Sequence, residues 1–158
     1  MAKGTRATAV LDKAGIAHGL HAYDYSADVD SKGLAAAQTL GIAPAQMFKT
    51  LMAWVDKQAV IAVIPSDQRL SLKKLAHACA GKHAQMMEIP EAERRSGYKV
   101  GGISPIAQQR PAPVLLADSA RAHDRVYLNA GQRGLLVDIA PDDLVGLLQA
   151  RCADLCEG

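Results

Sequence analysis

The sequence MFKTLMAWVDKQAVIAVIP spans residues 47–65 and contains two apolar runs separated by a short polar segment. The run 47–55 predicts a buried strand that is apolar on both faces. The run 59–64 predicts a second strand, which ends at Pro65. The polar residues 56–58 between the two runs are typical of a tight turn. The stretch therefore predicts a β-hairpin.

Helices and further short strands surround this hairpin in irregular order. Capping residues and helical spacing predict five helices. The first three begin after Thr5, Ser31 and Ser71, and the last two begin at Pro90 and Pro141. The second helix should end at Gly41, and the last should extend to Leu155. Alternating or apolar runs predict further strands at 18–25, 83–87, 114–117, 126–128 and 135–139. Several strand connections are too short for a helical crossover. We therefore expect an α+β fold: a single domain over residues 1–158, with a mixed, mostly antiparallel, barrel-like sheet flanked by helices.

The composition excludes several classes of protein. The chain has 158 residues, 49% hydrophobic and 22% charged, with a net charge of +2, which is far less basic than a dedicated nucleic-acid binder. One Phe and one Trp are too few for a set of base-stacking platforms. The sequence predicts neither a secretory signal nor a membrane span, so we expect a cytoplasmic protein without a membrane partner.

The cysteines and histidines do not form a recognisable metal or redox motif. Cys79, Cys152 and Cys156 include no CxxC pair, and the last two are predicted to lie on one face of the final helix as small hydrophobic residues. The five histidines show no metal-ligand spacing and no Ser-His-Asp arrangement. We therefore do not expect a metal site built from these residues.

Lys49 is a lone cation on the first strand of the hairpin, with Met47 and Leu51 as its neighbours on the same face. Burying an ammonium group costs several kcal/mol unless it finds an anion, hydrogen bonds or a route to water. One interpretation is that Lys49 extends to solvent from near the strand start. The other is that it binds a substrate carbonyl or phosphate, or acts as a base or nucleophile with a depressed pKa.

The run Gly101-Gly102-Ile103-Ser104-Pro105 indicates a second unusual site. Two glycines leave the main-chain N–H groups accessible, and the proline stiffens the segment. Such a loop could hold a carbonyl or phosphate, although an ordinary tight turn has the same composition. Tyr23 on the first strand is a further candidate, because its hydroxyl could orient a substrate or serve only in packing.

Three segments in this order resemble the YbaK branch of the YbaK/EbsC family: Phe48-Lys49-Thr50-Leu51, Leu72-Lys73-Lys74 and the run from Ser96 to Pro105. The resemblance extends from Val10 to about Asp154 and includes the turn Gly131-Gln132-Arg133-Gly134. Members of this family are related to the editing domain inserted in bacterial prolyl-tRNA synthetases.

The resemblance implies a free-standing trans-editing enzyme that hydrolyses mischarged aminoacyl-tRNA, chiefly cysteine on proline tRNA, without metal or cofactor. It implies catalytic roles for Lys49, Gly101 and Tyr23. It implies substrate binding by Phe48, Thr50, Gly102, Ile103, Ser104, Pro105 and Gly131. The expected partners are the acceptor end of proline tRNA and prolyl-tRNA synthetase.

Two departures from the family pattern lie near the last of these residues. Leu136 stands where the family often has an acid, and the nearby acid is Asp138. The preceding turn reads Asn129-Ala130-Gly131, where a serine and two glycines are expected.

The residues fit hydrolysis of an activated ester. Loop N–H groups could stabilise the developing oxyanion, each good donor contributing ~3–4 kcal/mol. Lys49 would hold the carbonyl or a terminal phosphate, and the thiol of a cysteinyl substrate could itself attack the ester. Two alternatives stay open: a deacylase acting on alanine-charged proline tRNA, and a non-catalytic module that binds aminoacyl-tRNA or a synthetase.

Overall fold

The structure, a computed structural model, describes residues 4–24 and 40–157. Its helices are α1 (Arg6–Ala14), α2 (Leu72–Ala78), α3 (Ile89–Ser96) and α4 (Pro141–Leu148). Its strands are β1 (His18–Ala22), β2 (Phe48–Val55), β3 (Gln58–Pro65), β4 (Ala84–Met86), β5 (Val114–Ala117), β6 (Val126–Gln132), β7 (Leu135–Ile139) and β8 (Arg151–Ala153). Most of the helix predicted between Ser31 and Gly41 falls outside the described residues.

The predicted hairpin is confirmed as β2 and β3. The two strands pair antiparallel along their full length, from Phe48 opposite Pro65 to Val55 opposite Gln58. They occupy inner positions of a five-stranded sheet with the order β4-β2-β3-β5-β8. Because β3 has neighbours on both edges and elements on both faces, all of its residues except Gln58 are buried.

The five-stranded sheet is mixed. β4 pairs antiparallel with β2, whereas β5 pairs parallel with β3 and β8 pairs parallel with β5. The segment between β3 and β5 contains α2, β4 and α3, which is long enough for the crossover that a parallel pair requires.

A second sheet contains three antiparallel strands in the order β1-β7-β6. Its inner face joins the main hydrophobic core through residues such as Leu128 and Val137, both fully buried. Among the described residues, the only backbone bridge between the two sheets is an isolated parallel pair, Met47 with Tyr127. The α+β prediction is therefore confirmed, but the strands form two sheets and not a closed barrel.

Helix α1 packs against this core at its first turns. The Thr5 side chain accepts a hydrogen bond from the Thr8 N–H and donates one to the Ala130 carbonyl, which fixes the helix start against β6. Ala7 and Leu11 are fully buried beneath it. In the part of the chain that the structure describes, no helix has the length and apolar character to cross a membrane.

The final helix is shorter than predicted. It ends at Leu148, because Gln149 adopts a left-handed conformation with φ 52°. Residues 151–153 then form β8, so the prediction of a helix to Leu155 with Cys152 and Cys156 on one face is wrong. The apolar residues beyond the helix serve strand pairing and the core instead, and Leu155 is buried.

Candidate active site

A cavity of about 380 Å³ lies along one part of β2. β3 pairs with the whole of one β2 edge, but β4 pairs with the other edge only at Ala53, Trp54 and Val55. The Met87 N–H donates to the Met52 carbonyl at 3.0 Å, so the backbone of Met52 faces the β4 side. Because strand residues alternate in direction, Thr50 presents its backbone to the same side, where the cavity begins. The cavity therefore follows the part of the β2 edge that β4 does not cover.

Lys49 is the basic residue of this cavity. It lies on β2 opposite Ile64, is partly buried, and is among the residues that line the cavity. Among the described residues it has no ion pair and no side-chain hydrogen bond. Burial lowers the pKa of Lys49 below its ordinary value of 10.5, although nearby Cys156 and Asp67 act in the opposite direction. The ammonium group is thus available to a substrate oxygen.

The Gly101–Pro105 loop meets the cavity through only part of its length. Gly101 and Ile103 line it, and Gly101 has a φ of 90°, which a glycine adopts without strain. Gly102 is buried, and its N–H donates to the Lys99 carbonyl at 2.8 Å. Fewer main-chain N–H groups of this loop are therefore accessible to a ligand than the sequence predicts.

Ser104 and Pro105 stabilise the loop from inside. Both are buried, and neither lines the cavity. The Ser104 hydroxyl accepts a hydrogen bond from the Ile106 N–H at 3.1 Å, and its carbonyl accepts one from the Gln108 side-chain amide at 3.0 Å. These contacts fix the shape of the loop around Gly101.

The structure brings six of the ten predicted site residues to the cavity: Tyr23, Phe48, Lys49, Thr50, Gly101 and Ile103. It does not bring Gly102, Ser104, Pro105 or Gly131 there. Gly131 instead lies against the ring of Tyr98, where a side chain would approach within 2.8 Å of a ring carbon.

Tyr23 enters the cavity from the three-stranded sheet. Its N–H donates to the Gly134 carbonyl at 2.9 Å. The residue packs in a small apolar cluster around Met47 and Leu136. Its position beside the cavity is consistent with the orienting role that the sequence predicts.

Methionines form a large part of the cavity wall, and the sequence interpretation missed this. Four of the five methionines of the chain line it, namely Met47, Met52, Met86 and Met87. Met86 is 45% exposed and the other three are buried. Their flexible thioether side chains adapt to ligands of different shape. The two on β4 and its end come from a distant part of the sequence, so no local motif indicates them.

Asn129 is a second residue that was missed as a site residue. It lines the cavity, and its side-chain amide donates to the Gly101 carbonyl at 2.9 Å. Its side-chain oxygen accepts from the N–H groups of Gly131 and Gln132, at 2.7 and 3.1 Å. Asn129 thus stabilises the irregular end of β6 and joins it to the loop.

Asp138, the acid nearest to the position where the family often has one, does not line the cavity. It is bound to His21 at 2.5 Å and to Arg125 at 2.5 Å, on the outer face of the three-stranded sheet. Burial alone raises the pKa of Asp138, but the hydrogen bonds from His21 and Arg125 outweigh it and lower the pKa below its usual value. Leu136, at the position where the family often has an acid, is fully buried.

The site can therefore polarise and anchor a carbonyl in an apolar enclosure. It offers one lysine, the loop residues Gly101 and Ile103 and a tyrosine, beside four methionines and Phe48. Within residues 4–24 and 40–157, no group of three or more His, Cys, Asp or Glu side chains could hold a metal ion.

The sequence matches the family profile described as the aminoacyl-tRNA editing domain over residues 31–147. It is 37% identical, over 120 residues, to EbsC of Enterococcus faecalis, a protein named as a candidate Cys-tRNA(Pro)/Cys-tRNA(Cys) deacylase. That alignment covers 75% of this chain and 73% of EbsC. It is also 32% identical over 79 residues to proline–tRNA ligase of Acidithiobacillus ferrooxidans. This alignment covers 50% of this chain and 14% of that longer enzyme.

Solved structures share the fold. A crystal structure named as a candidate trans-editing enzyme for prolyl-tRNA synthetase superposes with a TM-score of 0.82 at 24% identity, covering 97% of this chain and 96% of that one. The family profile and the match to EbsC confirm the prediction of an editing deacylase of the YbaK/EbsC type. The chain belongs to the aminoacyl-tRNA editing domain family.

Proposed function

We propose that this protein hydrolyses cysteine esterified to proline tRNA, acting as a separate domain of residues 1–158 on the acceptor end in the cytoplasm. The observation that carries the proposal is the presence of Lys49 and Gly101 on one cavity of about 380 Å³. EbsC, whose name specifies cysteine on proline or cysteine tRNA, is the relative that supports this choice of substrate.

Lys49 anchors the substrate by its charge. Its ammonium group binds the ester carbonyl oxygen or a phosphate of the terminal adenosine. When the carbonyl carbon is attacked, negative charge develops on that oxygen, and a fixed cation in a partly apolar site stabilises it more than water does. The N–H of Gly101 supplies a second stabilising contact from the loop.

The substrate supplies the nucleophile. The cysteinyl sulfur attacks its own ester carbonyl, so a C–S bond forms and a ring closes while the C–O bond to the terminal ribose breaks. The ribose oxygen takes up the proton that the thiol loses, so the tRNA is released with a free hydroxyl and the cysteine as a cyclic thioester. Water then opens this thioester to free cysteine, which makes the net reaction a hydrolysis. This route requires no protein nucleophile, which agrees with the absence of a Ser-His-Asp pattern in the sequence.

Recognition of one tRNA requires more than this cavity. With a net charge of only +2, the domain forms few phosphate contacts. We propose that prolyl-tRNA synthetase, or a few contacts to the acceptor end, brings the substrate to the site. The match to part of a proline–tRNA ligase supports the link to this enzyme.

The test is to measure loss of the ester from proline tRNA charged with cysteine, alanine or proline. We expect fast hydrolysis of the cysteinyl ester only. Lys49→Ala should abolish it, whereas Lys57→Ala should retain full activity, because Lys57 is an exposed lysine in the β2–β3 turn.

Other outcomes separate the alternatives. Equal rates for alanine and cysteine would overturn the role of the substrate thiol and favour the alanine deacylase. Binding of charged tRNA without hydrolysis of any ester would indicate a non-catalytic module.

A further inference from the structure

We infer that Arg133 and Asn129 are positioning residues that orient the Gly101 amide as the oxyanion donor, by holding two consecutive loop carbonyls from β6 and the β6–β7 turn. The inference rests on the proposed function and extends it to residues that do not react themselves. Neither residue was indicated by the loop motif, because both belong to a different element.

Arg133 fixes the peptide unit that contains the Gly101 N–H. Its Nε donates to the Val100 carbonyl at 2.8 Å. In a trans peptide the carbonyl and the following N–H point in opposite directions. An arginine that holds the Val100 carbonyl on the side of the turn therefore directs the Gly101 N–H to the opposite side, toward the cavity that Gly101 lines.

Asn129 fixes the next peptide unit. Its side-chain amide donates to the Gly101 carbonyl, and the N–H of the same peptide, from Gly102, donates to the Lys99 carbonyl. On the other side, the Val100 N–H donates to the Glu93 carboxylate at 2.9 Å. The backbone groups next to the Gly101 N–H are thus engaged, while that N–H itself makes no hydrogen bond among the described residues.

The close packing of loop and turn keeps these two bonds in place. A Cβ atom added at Gly102 would lie 2.8 Å from the backbone nitrogen of Arg133 and 3.0 Å from the carbonyl carbon of Gln132. Only a glycine allows the two backbones to approach in this way. The loop therefore lies directly on the end of β6 and the turn that carries Arg133.

Arg133 also acts on the amide through its charge. A guanidinium bound to a peptide carbonyl draws electron density from that peptide and strengthens hydrogen bonding by its N–H, as in other hydrogen-bond chains. The Gly101 N–H is thereby both oriented and made a stronger donor toward the position where negative charge develops.

The test compares Arg133→Met and Asn129→Ala with wild type, using the full chain and cysteine-charged proline tRNA. We expect kcat to fall by roughly 10- to 100-fold with little change in KM, since a misplaced group costs up to about 10²-fold. Arg133→Lys should recover part of the loss. The matched control Arg110→Met removes an exposed arginine that lies outside the cavity lining and should retain wild-type kcat.

Two further measurements keep the inference testable if a variant is unstable. Since both residues hold the same loop segment, the double variant should lose much less than the product of the two single effects. In the ¹⁵N–¹H spectrum of the free protein, Arg133→Met should move the Gly101 amide resonance, whereas Arg110→Met should not.

The outcomes are distinct from those of the proposed function. A raised KM with unchanged kcat would overturn the inference and make Arg133 a tRNA contact. A lower melting temperature with normal kcat would also overturn it, in favour of a structural role. If wild type hydrolyses no ester, the proposed function fails, and an unmoved Gly101 resonance then rejects the orienting contact independently.

Discussion

Lys49 combines a functional charge with an energetic cost. Its ammonium group is partly buried beside apolar side chains, and burial lowers its pKa. A group that binds its proton less tightly in the folded state than in the unfolded state destabilises the protein wherever it is charged. Lys49 therefore reduces the stability of the fold at neutral pH, which is expected of a residue that serves substrate binding.

The first prediction follows from this cost. Lys49→Met removes the charge and keeps the aliphatic length, so we expect an unfolding free energy equal to or above that of wild type at pH 7, together with loss of hydrolysis. The lysine contribution to stability rises with pH in the interval between the lowered pKa and 10.5, so the advantage of the methionine variant should shrink there. Urea denaturation at several pH values measures both effects. A clearly less stable variant would show that the ammonium group has a stabilising partner.

The second prediction concerns the pH dependence of activity. The rate should rise with pH as the substrate thiol ionises, and then fall as Lys49 loses its proton. Because the Lys49 pKa is lowered, this decline should begin at a lower pH than for an exposed lysine. Initial rates corrected for spontaneous ester hydrolysis give the profile. If Lys49→Arg retains activity, its decline should shift to higher pH, because arginine stays protonated. An alkaline limb that is unchanged in this variant would assign the decline to another group.

From local chemistry alone, individual site residues could be predicted where that chemistry is unusual for their setting. Lys49 is conspicuous in an apolar strand, and Gly101 in a glycine-proline loop, and both line the cavity. Asn129 and Met86 carry no such signal, because they reach the cavity through the folding of distant segments. Gly102 has the right local sequence, but its amide is used within the loop.

The loop and the β6–β7 turn behave as one unit at the edge of the site. Two hydrogen bonds join them, from Asn129 to the Gly101 carbonyl and from Arg133 to the Val100 carbonyl, and the fit depends on Gly102 having no Cβ. Any change that separates the two elements should therefore move Gly101 relative to Lys49.

The third prediction tests this fit. In Gly102→Ala, the new methyl group overlaps the backbone of residues 132 and 133, which should cost about 1–3 kcal/mol of stability and lower kcat. The matched control is Gly146→Ala in α4, where nothing lies within 4 Å of the added carbon. That change should add about 0.5–1 kcal/mol by the higher helix propensity of alanine and leave kcat unaltered. Thermal or urea unfolding measures the change in stability of each variant, and initial rates give kcat. Unchanged stability in Gly102→Ala would contradict the close packing of the loop against residues 132 and 133.

Elements with strong local signals could be predicted, and those defined by partners could not. The β2–β3 hairpin has apolar runs and a polar turn, and it forms as expected. β8 has only three residues, and it forms because it can pair in parallel with the edge of β5. Its own sequence gives no strand signal, and the residues after Leu148 resemble a continuing helix. The division into two sheets is likewise set by long-range pairing, which the sequence pattern does not specify.

The molecule as a whole places its site where both sheets and the Gly101 loop meet. β2 supplies Lys49, the three-stranded sheet supplies Tyr23 and Asn129, and the loop supplies Gly101. The chain as a whole has nearly balanced charge, with 18 basic and 16 acidic residues. The general electrostatic attraction between the domain and the tRNA should therefore be modest, and contacts with the acceptor end should contribute more to binding.

The fourth prediction follows from this balance. Binding of proline tRNA by the isolated domain should depend weakly on salt, with a log–log slope of about −2 or shallower, corresponding to about three single-stranded phosphate contacts. Fluorescence anisotropy across a series of salt concentrations measures the slope. A slope near −5 would instead indicate an extensive basic surface.

The methionine wall has a consequence for oxidising conditions. Hydrogen peroxide transfers one oxygen atom to a thioether, giving a sulfoxide and water, and the 45% exposed Met86 is the most accessible of the four methionines. A sulfoxide at this position would turn part of an apolar wall polar and chiral. Editing capacity would then decline as the surroundings become oxidising and return when a sulfoxide reductase restores the side chain. The same polarisable side chains that can adapt to a ligand would then tie the performance of the cavity to redox conditions.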